Sequence, residues 1–246
     1  MASLLTQQCL RLRATLYWLV LAVLTIVIGI ATLLTWPLPR RYSVAVTHTW
    51  LVSSVWLLKV ICGVDYRLHG IENIPDRPFV MLANHQSAFE CLIILRHFPS
   101  IAFVIKRELL WIPFFGWAFA LLRPVAIDRS SGNSALKQVV DKGQQHLNNG
   151  LSIVVFPEGT RIAPDDDKPY RTGGAALAIE ACAPVLPLAH NCGVFWPKGS
   201  FTKNPGTADV YIGQPIQAGH QTITSLNDQA KRWIDQHKQN YLVNKD

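Results

Sequence analysis

The sequence predicts an α/β fold, in which one domain with a largely parallel or mixed central sheet flanked by helices follows an N-terminal hydrophobic helical membrane anchor. Short apolar runs alternate with amphipathic stretches, polar motifs directly follow two of those runs, and a long uncharged stretch lies near the start. A chain of 246 residues can bury one substantial core. We therefore expect a membrane-anchoring segment over residues 1–62 and a single domain over residues 63–246.

The expected anchor contains two apolar segments. Residues 16–36 are 21 apolar and small side chains, enough to cross a hydrocarbon core of about 30 Å. Arginines flank both ends of this stretch, with Arg11 and Arg13 before it and Arg40 and Arg41 after it. The positive-inside rule therefore does not orient it. Residues 42–62 are interrupted by His48 and Lys59, which indicates an amphipathic or re-entrant helix that returns the chain to its starting side.

The remaining elements follow from shorter patterns. A third apolar run, residues 109–122, contains Pro113 and is too short to span a bilayer comfortably, which favours a buried or interface-seated helix. Apolar runs predict strands over residues 79–84, 151–156, 185–189 and 209–212. Amphipathic stretches predict helices over residues 134–148, 172–182 and 224–241.

The first polar motif is Asn-His-Gln-Ser-Ala-Phe-Glu, residues 84–90, directly after a predicted strand. On a continuous helix, His85 and Glu90 would point about 140° apart, so they converge only if His85 precedes a helix and Glu90 points back from its first turn. Ser87 begins a Ser-x-x-Glu pattern, which is a helix N-cap signature and supports that arrangement. The same pattern permits an alternative, in which Glu90 only caps the helix and His85 is a structural turn residue.

The second motif is Phe-Pro-Glu-Gly-Thr-Arg, residues 156–161, which also follows a predicted strand. It offers a carboxylate, a glycine that permits a tight turn, and an arginine suited to anions. Polar residues after the strands of an α/β fold are at a usual position for active sites. A base combined with an anion-binding turn is what group transfer to a hydroxyl of a phosphorylated molecule requires.

Together the two motifs resemble the signature of the glycerolipid acyltransferase family, Asn-His-x4-Asp followed by Phe-Pro-Glu-Gly-Thr-Arg. Residues 106–109 with 113–117 resemble the family's second block, residues 127–129 the basic element after it, and residues 185–188 its fourth block. The resemblance covers residues 68–215 in the family's order. This chain departs from the family pattern in having Glu90 in place of aspartate, and Arg123 where relatives often carry a small residue.

The resemblance implies transfer of an acyl group from acyl-CoA or acyl carrier protein to the free sn-2 hydroxyl of 1-acylglycerol 3-phosphate. The product would be phosphatidic acid, made for phospholipid biosynthesis. His85 would be the general base, and Glu90 would fix its tautomer and stabilise the imidazolium. Other acceptors remain open, namely glycerol 3-phosphate, another lysophospholipid or a lyso-amino lipid. A non-catalytic lipid-binding membrane protein is a further alternative, although such a protein would have no chemical need for His85.

The expected substrate-binding residues are Arg161, Lys106, Glu158, Gly159, Thr160 and Arg129. Arg161 is the first choice for the acceptor phosphate because a guanidinium can bind it through two parallel hydrogen bonds, with Lys106 second and Arg129 third. Glu158 is negatively charged, so we expect it to bind a hydroxyl of the acceptor or to brace the turn.

The amino-acid composition argues against several other classes of function. A net charge of +7 with 50% hydrophobic residues favours an anionic membrane surface over nucleic acid, for which no binding motif is recognisable. The eight histidines show no metal-ligand spacing, and the five scattered cysteines indicate reduced thiols, so we expect no metal and no cofactor beyond the thioester co-substrate. We expect the protein at the inner (cytoplasmic) membrane with its catalytic domain facing the cytosol. The sequence leaves the oligomeric state open.

Overall fold

The computed structural model describes residues 4–128 and 133–243 and is built around a seven-stranded sheet. Its strands are β1 (Val64–His69), β2 (Val80–Ala83), β3 (Ile101–Lys106), β4 (Val125–Ile127), β5 (Ser152–Val155), β6 (Val185–His190) and β7 (Gly206–Ile212). Their order across the sheet is β1-β7-β6-β2-β5-β3-β4. The run from β6 to β4 is parallel, whereas β7 is antiparallel to β6 and parallel to β1. The expected mixed, largely parallel sheet is confirmed.

Helices cover both faces of this sheet. They are α1 (Leu4–Leu34), α2 (Arg40–Cys62), α3 (Phe89–His97), α4 (Phe115–Ala120), α5 (Asn133–Asn148), α6 (Gly173–Glu180), α7 (Cys192–Phe195) and α8 (Ile223–Val243). Helices α1 to α3 share one hydrophobic cluster with the sheet, and α5, α6 and α8 share the other. The layers are therefore helix, sheet and helix, as the alternating sequence pattern predicts.

The central strands are buried along their whole length, which explains their mostly apolar sequences. Every residue of β2, β5 and β6 is buried. Successive side chains of β2 point to opposite faces, so Met81 packs with the α1 to α3 layer and Leu82 with the α5, α6 and α8 layer. Strands of this type need apolar residues at most positions because both faces are covered.

Helices α1 and α2 form an antiparallel pair that lies along the sheet. Tyr17, Leu51 and Leu58 are buried in the same cluster as α3 and the strands. Between the two helices, the indole N–H of Trp50 donates to the hydroxyl of Thr25 at 3.0 Å. The expected pairing of the two N-terminal segments is present, and α1 is longer than predicted. The division of the chain at residue 62 coincides with the end of α2, and the independence of the two parts stays a prediction.

The predicted elements match the structure, apart from three missed strands, the missed short helix α7 and one wrong helix. All four predicted strands and all three predicted helices are present, whereas β1, β3 and β4 were not predicted. The single helix expected over residues 109–122 was wrong. Pro113 lacks an N–H and Phe114 has φ 61°, so the chain forms a 3₁₀ helix over Arg107–Trp111 and then α4. Trp111 and Trp117 in this region are exposed, as an interface-seated segment would require.

Candidate active site

The two sequence motifs meet at one edge of the sheet. His85 follows β2, the Phe-Pro-Glu-Gly-Thr-Arg segment follows β5, and Lys106 ends β3. These strands are parallel and adjacent, so their carboxyl ends lie side by side. The backbone joins the motifs directly, because the N–H of Ile162 donates to the carbonyl of His85 at 2.8 Å.

Glu90 binds His85 and also caps α3. Its Oε1 lies 2.7 Å from Nδ1 of His85 and accepts the backbone N–H groups of Gln86 at 3.1 Å and Ser87 at 2.9 Å. The hydroxyl of Ser87 in turn accepts the N–H of Phe89 at 3.1 Å. Helix α3 begins at Phe89, so Glu90 points back from its first turn, as predicted. The two alternatives for Glu90, capping and orientation of the histidine, are thus both present in the geometry.

The contacts of His85 define the tautomer of its neutral ring. A carboxylate only accepts hydrogen bonds, so in the neutral imidazole Nδ1 carries the hydrogen and Nε2 has a lone pair available. The ring stacks on Phe156, with centroids 4.0 Å apart and planes 14° apart. The side chain of His85 is 14% exposed, so a substrate can reach a ring that is held from two sides. This arrangement suits the role expected for His85, a general base with a fixed orientation.

Glu90 is ionised in this setting. Burial alone would raise its pKa, but the hydrogen bonds from His85 and from the N–H of Ser87 hold the pKa below its usual value. A buried carboxylate adjacent to an imidazole stabilises the imidazolium that forms when the base takes up a proton.

Glu158 braces the backbone of the histidine. Its Oε1 accepts the N–H of His85 at 3.2 Å, and its Oε2 is buried without a partner among the described residues. Burial raises the pKa of Glu158 to about 7. Of the two expected roles for Glu158, this contact supports bracing of the turn.

His190 and Asn84 form a buried link that sequence reasoning missed. The side chain of Asn84 donates to the carbonyl of His190 at 2.9 Å and accepts its N–H at 3.0 Å. Nδ1 of His190 accepts the N–H of Cys192 at 3.2 Å, so Nε2 carries the hydrogen and donates to the carbonyl of Asn84 at 2.7 Å. Burial lowers the pKa of His190, consistent with this neutral form. The sequence signal was Asn84 itself, a polar residue that follows a buried strand.

Several potential metal ligands cluster around Glu90. The ligand atoms of Glu90, His190 and Cys192 lie within 4.8 Å of one another, as do those of His85, Glu90 and Cys91. Both nitrogens of His190 and Oε1 of Glu90 are already engaged in hydrogen bonds within the protein. This arrangement fits a network of protein hydrogen bonds better than a metal site.

The expected phosphate-binding cations lie at the same edge of the sheet. Arg161 is exposed, and its guanidinium is close enough to Cys91, the residue after Glu90, to act electrostatically on its thiol. Nζ of Lys106 lies 3.6 Å from Oε1 of Glu108, and the side chain is half-exposed. Thr160 is exposed beside Arg161. Arg129, the third candidate, lies outside the described residues.

Gly159 allows a tight turn next to a second arginine. Its φ is 72°, in the left-handed region, and an added Cβ would lie 2.9 Å from Nε of Arg171. The backbone N–H of Arg171 donates to the carbonyl of Pro157 at 2.8 Å. Sequence reasoning missed Arg171 because it lies ten positions beyond the motif, in a segment without a signal of its own.

An apolar cavity of about 180 Å³ lies beside the second motif on the α5 and α6 side of the sheet. Phe156 is part of its wall and also stacks on His85, so the cavity and the base share a residue. Most of the remaining lining is aliphatic, with Arg171 and Thr172 as the polar part.

The sequence and the fold resemble those of known proteins. The model of the Acyltransferase family matches residues 65–191. The 1-acyl-sn-glycerol-3-phosphate acyltransferase of Pseudomonas aeruginosa is 42% identical over 233 residues, which cover 92% of this chain and 90% of that protein. The protein of the same name from Saccharomyces cerevisiae is 30% identical, over 76% of this chain and 64% of its own length. The crystal structure of the 1-acyl-sn-glycerophosphate (LPA) acyltransferase from Thermotoga maritima superimposes with a TM-score of 0.78 at 26% identity, covering 96% of this chain and 97% of that one.

Proposed function

The chain belongs to the Acyltransferase family, and on that premise we propose that it transfers an acyl group from an acyl thioester to the sn-2 hydroxyl of 1-acylglycerol 3-phosphate, forming phosphatidic acid. The observation that carries the proposal is the 2.7 Å contact between Glu90 and Nδ1 of His85, at the same sheet edge as Arg161 and Lys106. This edge combines a proton acceptor with cations for a phosphate, and the acceptor molecule carries both a hydroxyl and a phosphate.

The reaction needs one general base and no acyl-enzyme. Nε2 of His85 takes the proton of the acceptor hydroxyl while the hydroxyl oxygen attacks the thioester carbonyl. The carbon–oxygen bond forms, the carbon–sulfur bond breaks, and the imidazolium returns the proton to the thiolate. Glu90 keeps the hydrogen of neutral His85 on Nδ1 and stabilises the transient positive charge.

Arg161 and Lys106 bind the acceptor phosphate in this proposal. No hydrogen bond or ion pair engages the guanidinium of Arg161 within the described part of the chain, so its planar donors are available for two parallel hydrogen bonds. Lys106 adds a point charge at the end of the neighbouring strand, and Arg129 remains a third candidate. Gly159 and Thr160 shape the turn that presents Arg161, and Glu158 holds this turn against His85.

The acyl donor is acyl-CoA or acyl carrier protein, acting as a co-substrate, and the proposed chemistry uses no metal or other cofactor. The cavity beside Phe156 is placed to receive an apolar part of the donor, because its wall touches the ring of the base. The donor would then approach from the α5 and α6 side, opposite to the face that α1 and α2 cover.

The apolar helices anchor the protein to the membrane. Both α1 and α2 are long and apolar enough to cross a bilayer. A stripe of large apolar side chains is exposed along all of α1: Leu5, Leu12, Leu16, Leu19, Val23, Val27, Ile30 and Leu34. The domain contacts the pair near both ends, since Trp18 donates to the carbonyl of Phe201 and Arg40 to that of Leu122. These contacts favour helices that dip into one leaflet beside the domain over helices that project from it.

We place the protein at the inner (cytoplasmic) membrane with the catalytic domain in the cytosol, where acyl thioesters are made. The exposed loop over residues 165–167 offers a protease-sensitive marker for this orientation. Cleavage of that loop from outside sealed, right-side-out membranes would contradict the cytosolic assignment.

The proposed function is tested by an assay of the purified full chain with several acceptors and both donors. We expect phosphatidic acid from 1-acylglycerol 3-phosphate with at least one donor, and lower kcat/KM with glycerol 3-phosphate or a lysophospholipid that lacks a phosphate monoester. If the protein prefers one of those other acceptors, the proposed reaction becomes acyl transfer to that acceptor. No transfer from either donor to any acceptor would favour the non-catalytic, lipid-binding alternative.

A further inference from the structure

A groove with basic residues lies at the edge of the sheet opposite to His85. It is lined by Arg40, Arg41, Val44, His48 and Pro99. Pro99 precedes β3, whereas His85 follows the parallel strand β2, so the groove lies at the amino edge and the candidate active site at the carboxyl edge. We call it the distal groove. The 23-residue helix α2, about 34 Å long, begins at the groove and ends toward the carboxyl edge.

The distal groove concentrates positive charge without a compensating carboxylate. Arg40 and Arg41 are in the first turn of α2, where free backbone N–H groups already favour an anion, and no acidic residue is present in that turn. Arg123 is exposed and directly follows Leu122, whose carbonyl accepts a hydrogen bond from Arg40. None of these three arginines forms an ion pair within residues 4–128 and 133–243. A bound anion would neutralise part of this charge and satisfy the helix terminus.

Arg40 is held in position and is incompletely satisfied. Its Nη2 donates to the carbonyl of Leu122 at 3.3 Å, while its Nε is buried without a hydrogen-bond partner among the described residues. A buried N–H donor that lacks an acceptor costs free energy, so an acceptor oxygen beside Arg40 is favoured. This observation is independent of the charge count and points to an oxyanion.

The residues around the distal groove are of the types that are common at a membrane surface. Trp36, Leu38 and Tyr42 next to it are exposed, and the apolar stripe of α1 ends at Leu34. Tryptophan and tyrosine are enriched at the depth of lipid headgroups, and basic residues at this depth attract anionic lipids. A phosphate near Arg40 would therefore come from the same leaflet that receives α1.

We propose that the distal groove binds the phosphate of an anionic phospholipid headgroup through Arg40, Arg41 and Arg123. This site would fix the tip of the α1 and α2 pair at the membrane surface, so that the pair is held at both ends. It is separate from the acceptor site, because Arg161 and Lys106 lie at the other edge of the sheet.

The test is calorimetric titration of the full chain in neutral detergent with dihexanoyl phosphatidylglycerol, in an Arg161→Gln background that weakens binding of phosphate at the acceptor site. We expect one saturable site. Arg40→Gln with Arg123→Gln should weaken it by about tenfold or more, as loss of charge-assisted hydrogen bonds implies. The matched control, Arg11→Gln with Arg13→Gln, changes the net charge equally near the other end of α1 and should leave the affinity within about twofold.

Other outcomes would overturn the proposal. If both variant pairs weaken lipid binding equally, or if lipid binding does not saturate, the lipid is attracted by the overall positive charge and not by a defined site. If inorganic phosphate binds as tightly as the lipid, the groove is a phosphate site, but the phosphate that it binds is not that of a lipid headgroup. If the first pair fails to fold, Arg41→Gln with Arg123→Gln keeps the bond from Arg40 to Leu122 and should still weaken binding by several-fold; an unchanged affinity would reject the site.

Discussion

Oε1 of Glu90 lies 2.7 Å from Nδ1 of His85 and accepts two backbone N–H groups of the turn between them. One carboxylate oxygen therefore fixes both the start of α3 and the orientation of the imidazole. The family resemblance leads one to expect aspartate here, and the glutamate reaches the ring from the first turn of the helix. The same oxygen atom caps the helix and orients the histidine. Both the activity and the stability of a Glu90 variant must therefore be measured.

Glu90→Gln separates charge from hydrogen bonding. The amide oxygen can still accept the same N–H groups, but the negative charge that stabilises the imidazolium is lost. We expect kcat to fall by more than about tenfold while the thermal midpoint changes little. Glu90→Asp keeps the charge and should retain substantial activity. A Glu90→Gln variant as active as the wild type would leave Glu90 with the capping role alone.

Arg161→Lys tests the phosphate contact. Lysine keeps the charge but loses the planar pair of donors, so the KM for the acceptor should rise by roughly tenfold, corresponding to about 1.5 kcal/mol or more, with a smaller change in donor KM. Arg67→Lys, at an exposed position of β1, is the matched control and should change neither. A change confined to donor KM would assign Arg161 to the thioester carrier.

Gly159→Ala tests the turn of the second motif, with Gly150→Ala as its control. Both glycines have left-handed backbones, with φ 72° and 79°, but a Cβ at Gly150 meets open space and one at Gly159 meets Arg171 at 2.9 Å. We expect about 1 kcal/mol of destabilisation from the backbone at either site, by chemical denaturation. Only Gly159→Ala should also lower kcat/KM. Equal activity of the two variants would show that the approach of Arg171 is unimportant.

The buried carboxyl of Glu158 predicts a pH dependence of stability. Its pKa is raised by burial from 4.5 to about 7, so the folded state binds a proton more tightly than the unfolded state. The stabilisation is complete below pH 4.5 and is lost as the pH rises through about 7, a change on the order of 3 kcal/mol. Relative to Glu158→Gln, the wild type should lose unfolding free energy between pH 5 and 7.5. Parallel pH profiles for the two proteins would contradict the raised pKa.

The sequence predicted structure correctly where function or burial constrains residues that are close together in the chain. The spacing of His85, Ser87 and Glu90 predicted the turn and the start of α3 because helix geometry permits only one way for the two side chains to meet. Strand β1 escaped prediction because it carries exposed and charged residues at one edge of the sheet, and β4 because it has three residues. Neither has the buried, continuous apolar run of β2.

Contacts between distant residues could not be predicted in this way. Asn84 and His190 are 106 positions apart, and only the pairing of β2 with β6 brings them together. Arg123 has a φ of 56°, a backbone conformation that favours glycine. Nothing in the candidate active site explains why an arginine stands there.

The most direct measurement is the turnover of His85→Ala on 1-acylglycerol 3-phosphate, beside wild type and His220→Ala, an exposed histidine after β7. Acceptor binding and membrane association should be unchanged, because Arg161, Lys106 and the apolar helices remain. If His85 is the base that Glu90 orients, its alanine variant should lose about 100-fold or more in kcat, while His220→Ala matches the wild type. Retention of more than about a tenth of wild-type turnover by His85→Ala would contradict the mechanism.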